Sequence, residues 1–295
     1  MKTKTIISTL LAMGLMACAN DPGPQTPEPQ EIHLSTLVSG GTRAVDDATA
    51  LQEVQLANGT TVSVKVKENA PTPTIEYRLA LYTADGLGGL ALPAGEKQYF
   101  PASGNSVDIY AFHPAGSPST YAVQTDQSTA DGYKASDLMW ASLTGLTSSN
   151  TPEQCVLNFR HKLSKISVQL VKGDFDDDLL AQATVTLGTN DLVTSGTFTQ
   201  ATGAFESDDS GTGTITMATN AGTAKYAAIV VPQSMTGKKI NIITDDATRS
   251  YTILTPAFLP GKRYTYVLTV DYSGEVSLIK SDITDWEDVE IEQTM

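Results

Sequence analysis

The sequence predicts an all-β protein built from two antiparallel β-sandwich domains. Short segments of alternating apolar and polar residues recur along the chain, turn residues separate them, and no long amphipathic helix lies between them. Hydrophobic residues make up 40% and charged residues 18% of the 295 residues, a balance that suits half-buried strands. A chain of this length accommodates two domains of about 100–150 residues each, and we expect two.

The chain begins with a segment that has the pattern of a secretory signal. Two lysines precede an apolar run, Ile6–Met16, which is shorter than the ~20 residues of a membrane-spanning helix. The run ends in Leu15-Met16-Ala17-Cys18, which is similar to the lipobox of bacterial lipoproteins. We therefore expect residues 1–17 to be a signal peptide and Cys18 to carry lipid, which would anchor the chain without a transmembrane helix. An ordinary signal peptide with an incidental cysteine is the alternative.

A proline-rich stretch follows the cysteine. Residues 20–30 contain four prolines, which fit neither a helix nor a central strand. Such a composition favours an extended tether, which would hold the folded body away from the membrane.

Alternation in the body of the chain predicts at least ten strands with one buried face each. They are separated by turn residues such as those at 84–86, 260–261 and 273–274, as hairpins and Greek-key connections require. The predicted strands cover residues 61–67, 77–82, 107–112, 165–171, 183–187, 226–231, 240–244, 251–254, 264–272 and 276–279.

One polar stretch interrupts the alternation near the middle. Ser142–Pro152 predicts a loop near a domain junction, and we place the boundary close to Phe159. The predicted N-terminal sandwich then covers residues 44–158 and the C-terminal sandwich residues 159–295. Short helical turns are expected around Phe175–Ala183.

The charge balance argues against nucleic acid as a partner. Acidic residues outnumber basic ones, 33 to 19, and the net charge is −14. The lysines and arginines are scattered, so they form no stripe that would neutralise a run of phosphates.

Local motifs for catalysis, metals or cofactors are not found in the sequence, and we expect none of the three. The histidines have no metal-ligand spacing, and no nucleophile elbow or phosphate-binding loop is present. The acidic run Asp174–Asp178 lacks the turn glycine and the bidentate glutamate of a calcium loop, which favours a solvated turn. Cys155 is expected to be a small buried hydrophobe rather than a nucleophile.

Several segments together resemble the fimbrillin superfamily, the lipoprotein-derived subunits of type V pili. They follow the family's order over nearly the whole chain: Cys18 in its lipobox, Thr42-Arg43-Ala44, Phe100–Pro114, Phe159–Ile166, Gly261–Tyr266 and Ile283–Trp286. The resemblance implies two β-sandwiches of transthyretin-like, Greek-key type, in agreement with the alternation. It also implies a precursor at the outer membrane and a mature subunit in a cell-surface fimbrium.

The resemblance further implies a maturation step. An Arg-specific surface protease would cut between Arg43 and Ala44 and remove residues 18–43, including a first strand with Ile32, Leu34 and Val38 on one face. Removing a core-facing strand would expose an apolar groove flanked by unpaired backbone groups, which a strand from another pilin subunit could fill.

The C-terminal segment is the candidate donor strand. After Trp286 the sequence alternates, with Val289 and Ile291 on one side and acidic residues on the other. A terminal edge strand whose acidic residues discourage aggregation is the alternative.

Two other functional classes stay open on the sequence. A monomeric surface lipoprotein could bind a glycan or a host protein through its loops, although the aromatic content of 7% offers little for stacking on sugars. A hydrolase would need polar residues that only the fold brings together. The resemblance favours a structural or adhesive pilin, and we therefore expect no enzymatic activity. An adhesive ligand on a host or bacterial surface is a further expected partner.

Overall fold

The structure, a computed structural model, describes residues 29–38, 56–75, 78–116, 119–150, 152–219, 222–245 and 247–286. Strands dominate the described residues, and the predicted all-β class is confirmed. The two α-helices are one and a half turns long, α1 (Ala130–Ala135) and α2 (Asp177–Gln182), and a 3-10 turn covers Pro152–Gln154. None of the helices in the described part of the chain is long and apolar enough to cross a membrane.

Nineteen strands are formed by the described residues. In chain order they are β1 (Ser35–Val38), β2 (Thr61–Glu68), β3 (Arg78–Ala84), β4 (Leu90–Ala91), β5 (Val107–His113), β6 (Thr120–Ala122), β7 (Met139–Leu146), β8 (Val156–His161), β9 (Ser164–Lys172), β10 (Thr184–Thr199), β11 (Ala204–Thr216), β12 (Ala218–Thr219), β13 (Lys225–Val230), β14 (Gln233–Ser234), β15 (Lys239–Ile243), β16 (Thr248–Thr252), β17 (Ala257–Phe258), β18 (Lys262–Val270) and β19 (Val276–Asp285).

The first sheet has seven strands and closes around its own core. Its order is β1-β8-β7-β5-β2-β3-β4, and all pairs are antiparallel except β1 with β8. The far end of the sheet returns to β1, because Thr36 N–H donates to Gly88 O and Leu90 N–H donates to Leu34 O. β1 therefore lies between two neighbours, and the side chains that point inward form one hydrophobic cluster.

Two five-stranded sheets enclose the second core. One has the order β11-β10-β15-β16, with β6 added to β10, and the other has the order β12-β13-β9-β18-β19. Ile166, Val168 and Leu170 of β9 face the same core as Leu187 and Leu192 of β10. This is the predicted sandwich architecture. β9 and β18 run parallel, and β14 and β17 form a separate two-stranded sheet.

The segment between β5 and β7 crosses from the first core to the second. β6 pairs with β10, and Tyr121 and Tyr133 of this segment are buried in the second cluster. On β7, Trp140 points the other way from the first core and its Nε1–H donates to Gln200 O at 2.7 Å. The two sandwiches are therefore joined by an extended surface and not by a single linker.

Most strands of the structure overlap the residues for which the apolar–polar alternation predicted strands. The loop predicted over Ser142–Pro152 is wrong in its first half, because β7 continues to Leu146. The polar residues there point away from the first core, while Ala141 and Leu146 are buried in it. The proposed domain boundary at Phe159 stays a prediction; that residue belongs to β8 in the first sheet, and the next strand starts at Ser164.

Candidate strand-exchange site

β1 is held between two strands by backbone hydrogen bonds on both edges. It runs parallel to β8, with Ser35 beside Val156 and Val38 beside Phe159. Ser35 N–H donates to Cys155 O at 3.1 Å, and Thr36 N–H donates to Gly88 O at 2.7 Å on the opposite edge. The residues before β1 are paired as well, because Ile32 N–H donates to Gln98 O at 2.8 Å. β1, the first strand of the described residues, is therefore a central strand.

The side chains of this segment alternate between core and solvent. Ile32, Leu34 and Val38 are 3%, 5% and 2% exposed and belong to the first core, whereas Leu37 is 44% exposed. The structure thus places the three residues predicted for one face together in the core. Burying an aliphatic side chain contributes about 1.5–3 kcal/mol, so these three are the main apolar contacts that hold the strand.

Thr36 interrupts this apolar face. It is 2% exposed, and its Oγ1 has no hydrogen-bond partner among the described residues. A buried hydroxyl without a partner costs stability, so this position is less well satisfied than its apolar neighbours. The inward order along the segment is therefore apolar, apolar, polar, apolar. The sequence interpretation named the three apolar residues and missed the polar one.

The start of the C-terminal segment lies at the Val38 end of β1. Trp286 follows β19; its N–H donates to Gly261 O at 2.7 Å, and it is 5% exposed. Its ring stacks on His161 with ring centroids 3.9 Å apart and 6° between the planes. Because His161 is only two residues beyond Phe159, the partner of Val38, Trp286 lies near the Val38 end of β1.

A buried hydrogen bond to Asp137 fixes the orientation of His161. Its Nδ1 lies 2.7 Å from Asp137 Oδ1, and the side chains are 1% and 2% exposed. Asp137 follows α1 in the crossing segment, so this pair ties the end of β8 to the second core. Removing one partner would leave the other buried polar group without this hydrogen bond, which would lower the stability of the fold.

The Asp137 carboxylate also influences the pKa values of two further side chains. Burial lowers the pKa of His113, and the charge of Asp137 opposes that shift. Burial also raises the pKa of Tyr121 well above its usual value, and Asp137 adds to the shift. The sequence shows these side chains as far apart. Only the fold brings β5, β6 and β8 to one carboxylate.

Candidate metal ligands and nucleophiles do not gather in the described ranges. No group of three or more histidine, cysteine, aspartate or glutamate side chains there could hold a metal ion. In the acidic run, Asp176 caps α2 by accepting hydrogen bonds from the backbone of Asp178 and Leu179. Cys155 is buried, and burial raises the pKa of its thiol, which makes the thiolate scarce.

Comparison with known families agrees with this architecture. The sequence profile described as Fimbrillin-like matches residues 42–286, which is most of the chain. The chain belongs to the fimbrillin-like family. The resemblance inferred from the sequence is thereby confirmed.

Individual relatives of this fimbrillin-like protein are distant but extend over its length. The curated protein "Putative fimbrium subunit Fim1C" of Bacteroides uniformis is 26% identical, with 97% of this chain and 96% of the relative covered. Among solved structures, a putative cell adhesion protein from Bacteroides uniformis has a TM-score of 0.66 at 22% identity, covering 86% of this chain and 98% of that one. One from Bacteroides ovatus has a TM-score of 0.68 at 18% identity, covering 88% and 98%. At these identities the structures support the fold alone.

Family membership makes this protein a fimbrial subunit of the cell surface, in a family of structural proteins that associate with other pilin subunits. The remaining predicted positions, Cys18, Arg43, Ala44, Val289 and Ile291, lie outside the described residues. Trp286 is described, and its ring is stacked on that of His161. Its predicted part in a donor strand stays a prediction.

Proposed function

We propose that this fimbrillin-like subunit is exported as an outer-membrane lipoprotein anchored at Cys18, cut after Arg43 by an Arg-specific surface protease, and polymerised by donor-strand exchange. In this mechanism β1 leaves its place between β8 and residues 88–90. The C-terminal segment of another subunit takes that place. The observation that carries the proposal is the position of β1 as a central, core-facing strand that precedes Arg43 in the chain.

The contacts of β1 suit a strand that is exchanged. After a cut at Arg43, the segment before it would be held only by noncovalent contacts: three buried aliphatic side chains and the backbone hydrogen bonds on its two edges. Its departure would leave the carbonyls of Cys155, Gly88 and Gln98 without their partners in a groove lined by the first core. Unpaired strand edges beside buried apolar surface are a template for an incoming strand.

The C-terminal sequence repeats the inward pattern of β1. The inward positions Ile32, Leu34, Thr36 and Val38 read apolar, apolar, polar, apolar. With the same spacing, Val289, Ile291, Gln293 and Met295 read apolar, apolar, polar, apolar. The intervening acidic residues would take the outward positions, where water solvates them. This match supports a donor that runs in the direction of β1, with Gln293 in the place of Thr36.

The same match supports exchange between subunits. The C-terminal segment starts at Trp286, beside the Val38 end of the groove, so in its own groove it would run opposite to β1. That direction would bring Ile291 to the Thr36 position and Gln293 to the Leu34 position. The reversed strand would therefore match the groove at two of its four inward positions, whereas the strand that runs in the direction of β1 matches it at all four.

Processing is tested by comparing the sheared surface fraction with the membrane fraction by intact mass and N-terminal sequencing. We expect fimbriae whose subunits start at Ala44 without lipid. Arg43→Ala should leave a lipidated precursor that starts at Cys18 and forms no polymer. Arg160→Ala, at an exposed arginine on β8, is the matched control and should assemble normally. Fimbriae formed by Arg43→Ala, or a lipidated start in every fraction, would refute the processing step.

The donor strand is tested by placing a charge on either side of it. Ile291→Asp would bury a carboxylate in the groove and should abolish denaturant-resistant oligomers. Glu290→Gln, on the outward side, should leave them unchanged. Equal assembly of both variants would show that residues 287–295 are not the donor.

A second candidate keeps β1 in place and makes the protein a monomeric surface lipoprotein that binds a glycan or a host protein. A depression beside the first sheet favours it, because the exposed Leu79 and Tyr99 line this depression together with the partly buried Leu92. In that case Arg43→Ala cells would bind the ligand as well as unmodified cells. An adhesive fimbria would lose binding together with its polymer.

A further inference from the structure

β19 is a long edge strand with apolar side chains on its surface. It pairs with β18 along its length, and no other described strand pairs with its outer edge. Leu278, Ile279 and Ile283 are 37%, 57% and 54% exposed. The other long edge strand, β11, instead carries Glu206, Asp208 and Asp209, the charges that commonly prevent edge-to-edge pairing. The central part of β19 instead carries one charge of each sign, Lys280 and Asp282, between apolar residues.

The pairing with β18 assigns the faces of β19. Leu278 and Ile283 lie opposite Leu268 and Tyr264, which point into the second core, so both are on the sandwich side of the sheet. Both side chains are nevertheless more than one-third exposed. Lys280 and Asp282 lie on the outer side, and Ile279 is the extra residue of a bulge between the pairs of Leu278 and Lys280.

The centre of β19 is self-complementary. The sequence Ile279-Lys280-Ser281-Asp282-Ile283 has opposite charges on either side of a serine and isoleucines beyond them. In an antiparallel pair centred on Ser281, Lys280 of each copy would lie opposite Asp282 of the other. Ile283 would lie opposite the Leu278–Ile279 bulge. Opposite charges and apolar pairs at facing positions both stabilise antiparallel strands. Within one chain the Lys280–Asp282 contact is long, 4.0 Å, and exposed. Asp282 Oδ1 also accepts a hydrogen bond from Ile283 N–H at 2.9 Å, which the pairing would have to replace.

We propose that β19 is a self-association surface, through which two copies of this chain pair antiparallel about a two-fold axis at Ser281. The pair would join the two β12-β13-β9-β18-β19 sheets into one ten-stranded sheet and would satisfy the outer backbone groups of both edges. The surface belongs to the second sandwich and leaves the β1 groove of the first untouched. It would therefore link subunits side by side, independently of donor-strand exchange.

Disulfide trapping tests the geometry. The full chain carries Cys18→Ser and Arg43→Ala, so that neither lipid nor strand exchange contributes to association. Facing residues at the centre of an antiparallel pair have Cα atoms about 4.5–5.5 Å apart, within disulfide range. Ser281→Cys should give at least tenfold more disulfide-linked dimer under mild oxidation than Ser207→Cys on the exposed edge strand β11. Cys155 is buried and adds no background.

Charge exchange tests the register by sedimentation velocity. Lys280→Asp would place like charges opposite each other twice, so the dimer dissociation constant should rise at least tenfold. The double variant Lys280→Asp/Asp282→Lys restores both opposite-charge pairs and should return within about threefold of the starting protein. The double variant is the matched control for folding.

Three results would overturn the proposal. One is a monomer at all accessible concentrations with no trapping above the Ser207→Cys background. Another is a dimer that the Lys280→Asp substitution does not weaken or that the charge exchange does not restore. The third is trapping that appears only after removal of residues 287–295, because then the chain's own C-terminal segment covers this edge.

Discussion

Leu34→Ala tests whether β1 is held mainly by its inward side chains. Leu34 is 5% exposed and lies between β8 and residues 88–90, so truncation removes buried methyl groups and leaves a cavity in the first core. Leucine-to-alanine changes at such sites cost about 2–5 kcal/mol, and we expect about 3 kcal/mol here. At about 2–4 °C per kcal/mol for 150–250 ordered residues, this lowers the melting temperature by about 6–12 °C.

Leu37→Ala is the matched control, because Leu37 is three residues further along the same segment, in β1, but is 44% exposed. We expect it to cost less than about 1 kcal/mol. Both variants would be compared by differential scanning calorimetry in the uncleaved chain. In the chain cut after Arg43, Leu34→Ala should also release the N-terminal segment faster. Equal melting temperatures for the two variants would refute the view that the inward face anchors β1.

Three further predictions concern stability. The Glu68 carboxylate accepts hydrogen bonds from Ser103, Thr74 and Asn105, and these lower its pKa from 4.5 to about 2. The free energy of folding that these hydrogen bonds contribute is therefore present above pH 4.5 and is lost as the pH falls toward 2. Glu68→Gln should flatten the acid limb of the stability profile between those values in urea titrations. Burial lowers the pKa of Lys165 from 10.5 to about 7, so the unfolded chain binds the extra proton between these values and stability rises with pH. Lys165→Met should raise the melting temperature at pH 7 and have a smaller effect at pH 9.5. At Gly203, with φ +66°, an added Cβ would lie 2.3 Å from the ring of Trp140, whereas at Gly237, with φ +77°, it would meet nothing. Gly203→Ala should therefore cost about 1–3 kcal/mol more than Gly237→Ala by chemical denaturation, and equal costs would show that the β10–β11 turn does not rest on Trp140.

Strand positions were largely predictable because one face of each strand is buried. Val62, Val64 and Val66 of β2 alternate with polar residues, and the structure buries all three. β7 was partly mistaken for a loop, since its polar residues from Ser142 to Thr144 resemble a turn when their neighbours are unknown. Alternation reports how one strand divides between core and solvent, not which strand lies beside it.

The sequence by itself determined the all-β class, the fimbrillin-like family and the apolar inward residues Ile32, Leu34 and Val38, because these depend on local pattern and on motifs in a fixed order. Only the tertiary structure decided that β1 runs parallel to β8, some 120 residues away, between it and residues 88–90. It also decided that Trp286 rests on His161, and that His161 is held by Asp137. Such contacts depend on the packing of distant strands, for which a linear pattern carries no signal, and they bring the two chain segments of the proposed exchange together.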